Sequence, residues 1–536
     1  MGRKSFLKGA AILAVAGIAV RLIGALYRIP LQHIVGLEGI ALYQMAYPVY
    51  SLLLTLSTAG IPGAISKLVS ERAVYGDWSG ARRVFSISLG LLFTVGLVSA
   101  AAMAMGSGAV ARFVAGNKIG PRAEPVMLAA SPALLFVAVI TAFRGYFQGL
   151  QHMTPTAVSQ VLEQIIKIIP GFYIAARMCT LGVEYGAAGA MWGVALSEAV
   201  AMAYLAVTYW VRRRREPPIT AKLPMEPPGR VAVKLTALAL PMMAGAVFLP
   251  LAGLADAFIV VNRLTALGYG EGAIQSLYGL LSGNVNVLVN VPSVLSLSLS
   301  ASLIPSVAES CERGDAAGLR RKCNAGLKAT LLLALPAAAG MAVLAKPVLN
   351  LLFGGTLTAA ELAAGAELLA SSCAGIVFLS VVQTTNGLLQ GMGRVYVPMV
   401  SLAVGAAVKI ALNYLLVGMP EINIHGAPLG TVACYLVPAA INCIVLQRAG
   451  VLRLKGMLLR PALASALMCG GAWALNGWLQ SFMPAEAACG VAVAVSVPLY
   501  ALLSVLTGAI GREELMLLPK GDTISAHLKR RGLLKG

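Results

Sequence analysis

The sequence predicts an all-α polytopic membrane protein of about 14 transmembrane helices, built as two parallel six-helix lobes plus two C-terminal helices. Three observations support this fold class: low charge, recurring apolar stretches and an internal repeat. The chain is 58% hydrophobic and 12% charged, with a mean hydropathy of +0.82. A soluble chain carries about 25% charged residues, so this composition excludes a water-exposed globular fold.

Apolar stretches recur along the chain, and about 20 such residues cross the roughly 30 Å hydrocarbon core as one helix. The first stretch continues past Arg21 with no small-x-small cleavage site, so we expect an uncleaved first span. The predicted spans are 6–27, 40–66, 84–106, 125–149, 155–176, 186–211, 235–260, 274–305, 329–350, 364–392, 395–419, 427–447, 461–480 and 487–510.

The net charge of +20 reflects topology rather than nucleic-acid binding. Most Lys and Arg residues fall in the two termini and in every second loop, which lie on the same side of the membrane. The positive-inside rule therefore predicts a cell-membrane protein with both termini in the cytoplasm. The run Arg212–Arg215 is either a topology anchor at anionic headgroups or a regulatory, partner-binding segment. The eight cysteines are scattered without a CxxC pair, which argues against a metal site or a disulfide framework.

Two polar motifs repeat. "SERAVYGDWSGARRVF" aligns with "AESCERGDAAGLRRKC" at a shift of 238 residues, which places Asp77 on Asp315. "RGYFQGLQHMTP" aligns with "NGLLQGMGRVYVP" at a shift of 242, which places Lys167 on Lys409. Six spans per repeat is an even number, so the repeats are parallel. The predicted domains are an N-terminal lobe (1–211), a basic cytoplasmic linker (212–234), a second lobe (235–447), two additional helices (448–510) and a basic cytoplasmic tail (511–536).

Basic residues within or at the ends of spans are candidate substrate ligands, because a charge at the bilayer centre costs about 2.5–3.5 kcal/mol unless it finds a partner, water or ligand. Arg21 and Arg28 are seven residues apart, on nearly one helix face. Arg28 either lines a cavity or extends to the interface. The candidates for binding an anionic headgroup in a central cavity are Arg21, Arg28, Lys167, Arg263 and Lys409.

Three acidic residues, Glu163, Asp256 and Glu198, are candidate charge partners or ion-coupling groups. Glu163 precedes Lys167 by one helical turn, so the two form either a packing ion pair or part of the site. Asp256 pairs with Arg263 or another base, or binds a coupling cation, and Glu198 is simplest as an interhelical hydrogen-bond partner. Because bases outnumber acids, the cavity is expected to favour an anion, and the arginine fork suits phosphate.

The stretches "RLIGALYRIPL", "EGIALYQMAYPVYSLLLTLSTAGIPGAISKLVSE" and "LADAFIVVNRL" resemble the stage V sporulation protein B branch of the polysaccharide transporters. These are relatives of the MurJ lipid II flippases in the MOP superfamily, which also holds the MATE exporters. The resemblance covers essentially the whole chain. It implies alternating-access transfer of an undecaprenyl-diphosphate-linked saccharide, for spore cortex peptidoglycan or another envelope glycan, from the inner to the outer leaflet. Arg21 matches an arginine of the family's helix-one motif.

The partners implied by the resemblance are a lipid-linked oligosaccharide, membrane lipids and the cell-wall synthesis machinery, with no nucleic acid. A cation-coupled multidrug or organic-ion exporter of the MATE type is the alternative, which the cationic excess disfavours. A glycan polymerase or ligase is a second alternative, but the predicted external connections are short and His33 and His425 stand alone. We therefore expect a transporter with no catalytic residues, no metal and no cofactor, with H+ or Na+ as candidate coupling ions.

Overall fold

The computed structural model describes residues 17, 19–20, 23–24, 26–213, 227–453 and 456–510. Across these residues the regular structure is helical, and they contain no β-strand. Contacts among them divide the chain into two compact units, residues 1–279 and 280–536. The predicted all-α class is therefore confirmed.

The first unit contains eight helices within the described residues. They are α1 (Arg28–Thr58), α2 (Ile61–Val74), α3 (Trp78–Gly149), α4 (Met153–Cys179), α5 (Val183–Arg213), α6 (Pro228–Ala246), α7 (Phe248–Ala266) and α8 (Glu271–Gly279).

Glycines divide the two longest runs of helix in this unit. Gly116 within α3 has φ 73° and ψ 174°, and Gly36 within α1 has φ 69° and ψ 178°. A positive φ is readily adopted only by glycine. A straight helix of the 72 residues of α3 would be about 108 Å long, far beyond a bilayer, so the break at Gly116 separates the predicted spans 84–106 and 125–149.

The first predicted span, 6–27, ends too early. The described residues 23, 24 and 26 are helical, Tyr27 interrupts the helix for one residue, and α1 continues to the break at Gly36. Pro30 has no N–H to donate to residue 26, which explains the local interruption without ending the helix. Arg28 therefore lies inside a helix rather than beyond its end.

The seventh predicted span, 235–260, is two helices in the structure. α6 ends at Ala246 and α7 begins at Phe248. Pro250 lacks the N–H that would bond the Ala246 carbonyl, which accounts for the break three residues before it. Although the repeat assigns α6, α7 and α8 to the second lobe, these three helices pack within the first unit, against α1, α2 and α3.

Three contacts attach α7 and α8 to this unit. The Phe258 ring stacks on Phe113 with centroids 4.6 Å apart. The Asn262 side-chain amide donates to the Val114 carbonyl at 3.2 Å, and the Tyr278 hydroxyl donates to the Gln44 carbonyl at 3.3 Å.

The second unit begins with a π-helix, Leu280–Val285, that leads into α9. Its described α-helices are α9 (Asn286–Glu312), α10 (Ala316–Val343), α11 (Ala345–Phe353), α12 (Ala359–Ser372), α13 (Ala374–Gly391), α14 (Tyr396–Leu416), α15 (Gly426–Arg448), α16 (Leu459–Leu479) and α17 (Ala485–Leu506). α12 and α13 meet at Cys373 with a bend of 40° and together fill the predicted span 364–392.

Within the described residues, nine helices are long and apolar enough to cross a membrane, or ten if α12 and α13 form one span. This number is lower than fourteen partly because α3 counts once although it contains two predicted spans. The chain is a multi-pass membrane protein, and the count of fourteen stays a prediction.

The first sequence repeat has a structural counterpart in the two units. Asp77 caps α3 by accepting the Gly80 N–H at 2.9 Å, and Asp315 caps α10 by accepting the Gly318 N–H at 2.8 Å. A Cβ on Gly80 or Gly318 would lie 2.1 or 2.0 Å from the capping carboxylate. In both motifs the aspartate caps the helix, and the third residue after it is glycine because a Cβ there would clash with the capping carboxylate.

The second repeat packs one helix closely on another in each unit. A Cβ on Gly149 would lie 2.8 Å from Val69 Cβ, and a Cβ on Gly391 would lie 3.0 Å from Val307 Cβ. Val69 and Val307 are themselves 238 residues apart, the shift of the first repeat. The two units therefore repeat a helix contact as well as a sequence pattern, as expected for a duplication.

Candidate functional site

Arg144 near the end of α3 holds the carboxylate of Glu163 on α4 in an ion pair. The Arg144 guanidinium also donates to the Ser159 hydroxyl, from Nε at 3.2 Å and from Nη2 at 3.0 Å. The side chains of Arg144 and Glu163 are only 17% and 11% exposed. The forked contact therefore fixes a largely buried charge between two helices, as the planar guanidinium permits.

Glu198 on α5 adds a second carboxyl group, which acts electrostatically on both Glu163 and Lys167. Its role as an interhelical hydrogen-bond partner stays a prediction.

Lys167, one turn after Glu163 on α4, lies against an aromatic face. Its Nζ is 4.3 Å from the ring centroid of Tyr27, and that ring stacks on Phe172 at 5.0 Å. Tyr27 is only 3% exposed. The ring face attracts the ammonium group but, unlike a carboxylate, brings no opposite charge to it.

Arg28, the next residue after Tyr27, is half-buried and places its guanidinium carbon 5.6 Å from the Tyr47 ring centroid. Arg28, Glu163 and Glu198 all act electrostatically on Lys167. The structure therefore brings four of the predicted residues into one neighbourhood of the first unit. Arg21 lies outside the described residues.

Asp256 and Arg263 are two turns apart on α7, and both are half-buried. α7 packs on α1 and α3 in the first unit, and Asn262, next to Arg263, bonds the α3 backbone. This position associates Asp256 and Arg263 with the helices that carry Arg28 and Arg144.

Lys409 on α14 belongs to the second unit and is 7% exposed. The residue one turn before it, Gly405, occupies the position that Glu163 has in the first repeat. A Cβ on Gly405 would lie 2.5 Å from the Cys434 carbonyl oxygen, so close packing on α15 leaves no room for a carboxylate there.

The counterpart of Arg144 in the second repeat is Asn386, 242 residues later. Its side-chain oxygen accepts a hydrogen bond from the Asn442 amide at 2.8 Å. The second unit therefore has neutral amides where the first unit has an ion pair, and the charge concentration is specific to the first unit's helices.

Sequence reasoning missed Arg144 and Tyr27. Arg144 lies near the end of the predicted span 125–149, where an arginine ordinarily extends to the headgroups. In the repeated motif that begins with "RGYFQG", Arg144 aligns with the polar Asn386, and this polar pair was the sequence signal for a functional position. Tyr27 gave none, because an aromatic residue at a span end is ordinary.

The cluster can bind an anion. The three basic side chains of Arg28, Arg144 and Lys167 outnumber the two acidic side chains of Glu163 and Glu198. Across the described part of the chain, no group of three or more His, Cys, Asp or Glu side chains is placed to hold a metal ion. The chemistry that the cluster offers is electrostatic and hydrogen-bonding.

Comparisons with known proteins agree with the fold and with the earlier resemblance. A model described as "Polysaccharide biosynthesis protein" matches residues 6–311, and one described as "MatE" matches residues 283–415. Stage V sporulation protein B of Bacillus subtilis (strain 168) is 26% identical, over 97% of this chain and 98% of that protein. The lipid II flippase MurJ of the same strain is 28% identical, over 82% of each chain.

A solved structure of the lipid II flippase MurJ, in an inward closed conformation, superimposes with a TM-score of 0.70 at 14% identity. The superposition covers 92% of this chain and 98% of that structure. At this identity the likeness shows a common fold. The first of the two family models covers more than half of the chain, and the chain therefore belongs to the polysaccharide biosynthesis protein family.

Proposed function

We propose that the chain flips an undecaprenyl-diphosphate-linked saccharide from the inner to the outer leaflet by alternating access. The observation that carries the proposal is the first-unit cluster, in which the basic residues Arg28, Arg144 and Lys167 outnumber the two acids beside them. A diphosphate offers several anionic oxygens to such donors, whereas an organic cation would be repelled.

The relatives support a lipid-linked substrate. One is named a lipid II flippase and another a stage V sporulation protein, and each is similar over most of this chain. A peptidoglycan precursor, for the spore cortex or for another envelope layer, is thus the substrate class that we propose. The cell-wall synthesis machinery would then receive the flipped product.

Alternating access is proposed from the duplication into two parallel lobes, because rocking one repeat against the other would open a site to each side of the membrane in turn. With the positive-inside rule, both termini remain cytoplasmic.

A cation-coupled exporter of the MATE type is the second candidate, because the MatE model matches residues 283–415. It needs a cavity that attracts organic cations. The positive excess in the first unit opposes this function.

The proposal is tested by reconstituting the full chain in liposomes with a fluorescent lipid II, whose exposure is followed with a membrane-impermeant quencher. Lys167→Gln removes the charge over Tyr27, and we expect the flipping rate to fall at least about tenfold. Lys118→Gln is the matched control, because Lys118 is an exposed lysine on α3. Both variants are first checked for equal incorporation and thermal stability.

Flipping no faster than in protein-free liposomes would refute the flippase assignment. Ethidium efflux driven by a proton or sodium gradient, in the absence of lipid II flipping, would establish the exporter instead. Equal flipping rates for the two lysine variants would remove Lys167 from the site.

A further inference from the structure

The second unit contains a cavity of about 650 Å³ between its last two helices and the α10–α12 segment. The end of α10, the start of α11, the end of α16 and the start of α17 all contribute to its wall. Its polar and aromatic lining residues are Lys346, Asn350, Trp473, Asn476, Trp478 and Gln480.

This cavity lies at the opposite ends of α10 and α16 from three arginines. Arg320 and Arg321 lie in the first turns of α10, and Arg460 lies at the start of α16. The cavity is formed by the other ends of the same two helices. By the positive-inside rule, the basic ends face the cytoplasm and the cavity faces away from it.

The lining combines aromatic faces with amide groups. Trp473 and Trp478 are 68% and 62% exposed, so their indole rings are open to contact. Asn476, between them on α16, is only 6% exposed, and its side-chain oxygen has no hydrogen-bond partner among the described residues. A buried acceptor without a partner costs free energy, which a ligand hydroxyl would recover.

The charges at the cavity balance. Lys346 is the basic residue of the lining, and the Asn350 side-chain amide donates to the carboxylate of Glu486 at 2.8 Å. One base and one acid give no excess that would select a phosphate. Open indole faces, amides and a balanced charge instead suit a neutral polyol, whose C–H faces stack on aromatic rings and whose hydroxyls both donate and accept.

We propose that this cavity binds the saccharide part of a lipid-linked glycan at the non-cytoplasmic face. The identity of the glycan as the transported product rests on the proposed function, whereas the saccharide site itself rests on the cavity. The site would hold the sugar after it has crossed the membrane.

The test is equilibrium binding of a neutral soluble disaccharide, N,N′-diacetylchitobiose, to the full chain in nanodiscs, measured by calorimetry. We expect saturable binding that Trp478→Ala weakens about tenfold, the scale of one lost aromatic stack with its buried contact. Trp210→Ala is the matched control, because Trp210 is 61% exposed but lies on α5 in the first unit. Trp478→Phe retains a ring and should keep most of the affinity, which separates stacking from misfolding.

Absence of saturable binding to the wild-type chain would overturn the proposal, as would equal weakening by the two Trp→Ala variants. Binding of glycerol phosphate, the headgroup of an anionic lipid, in place of the disaccharide would also overturn it. Binding is measured without transport, so a chain that binds the disaccharide but does not flip lipid II would retain this site and lose the proposed function.

Discussion

Replacing Arg144 by alanine should destabilise the first unit more than the loss of any exposed ion pair. Arg144 is the ion-pair partner that the structure gives Glu163, and it also holds Ser159. In the Arg144→Ala variant the Glu163 carboxylate stays between α3, α4 and α5 without its cation. An uncompensated charge in a poorly solvated position is among the costliest consequences of a single substitution.

The magnitude follows from burial. Removing one partner of a buried pair costs about 3–5 kcal/mol. Because the side chains of Arg144 and Glu163 are 17% and 11% exposed, some solvent screens the charge, and we expect the low end, about 3 kcal/mol. At about 1.4 kcal/mol per tenfold change, this lowers the folding equilibrium constant by about two orders of magnitude.

The assay is the free energy of unfolding of the purified chain in a lipid environment, by steric trapping or chemical denaturation. Arg122→Ala is the matched control. Arg122 also bridges two acids, Glu38 and Glu184, but the three side chains are 34%, 41% and 26% exposed. Pairs this exposed contribute about 0–1 kcal/mol each, so the control should lose less.

A second variant isolates the charge. Arg144→Ala combined with Glu163→Gln removes both members of the ion pair and should recover part of the lost stability. If Arg144→Ala costs no more than Arg122→Ala, or if the double variant is less stable than Arg144→Ala, the buried-charge reasoning is wrong.

Two further predictions concern the repeated motifs. Burial alone would raise the pKa of Asp77, but hydrogen bonds from Gly80, Ser79 and Arg72 hold that pKa below its usual value, so the cap's stabilisation is present above about pH 4 and is lost as the pH falls through the lowered pKa. Asp77→Asn should make the unfolding midpoint fall less steeply as the pH is lowered. An unchanged pH dependence would show that Asp77 is not the group responsible for the loss of stability. Gly149→Ala should destabilise by about 1–3 kcal/mol through overpacking on α2, whereas Gly63→Ala, which meets no atom within 4 Å, should be neutral or stabilising in the same unfolding measurement; equal effects would contradict the close packing.

Most helix positions could be predicted because apolar stretches of span length have one stable outcome in lipid. The predicted spans 155–176, 395–419 and 461–480 differ by at most three residues at each end from α4, α14 and α16. The first span was predicted to end too early because Arg28 and Pro30 are typical of the end of a transmembrane helix. The helix accommodates both residues and is interrupted only at Gly36.

The site was predictable only as a list of candidates. Sequence placed Lys167 and Glu163 one turn apart, which allowed them to pair with each other, but the structure gives Glu163 the ion pair with Arg144 and places Lys167 over Tyr27. Neighbours within one helix follow from the helical period. Neighbours from different helices depend on how those helices rotate and cross, and no local pattern specifies this.

The sequence by itself determined the membrane class and the duplication and predicted an anionic cargo, because these depend on total apolar length, repeated motifs and the excess of bases over acids. The tertiary structure decided the partners. It set Arg144 against Glu163, closed Gly405 against α15 where a carboxylate would otherwise stand, and placed Trp473, Asn476 and Trp478 in the lining of one cavity. Such pairings arise only when helices distant in sequence pack at a particular angle and depth, since each side chain's energy depends on the atoms of its neighbours.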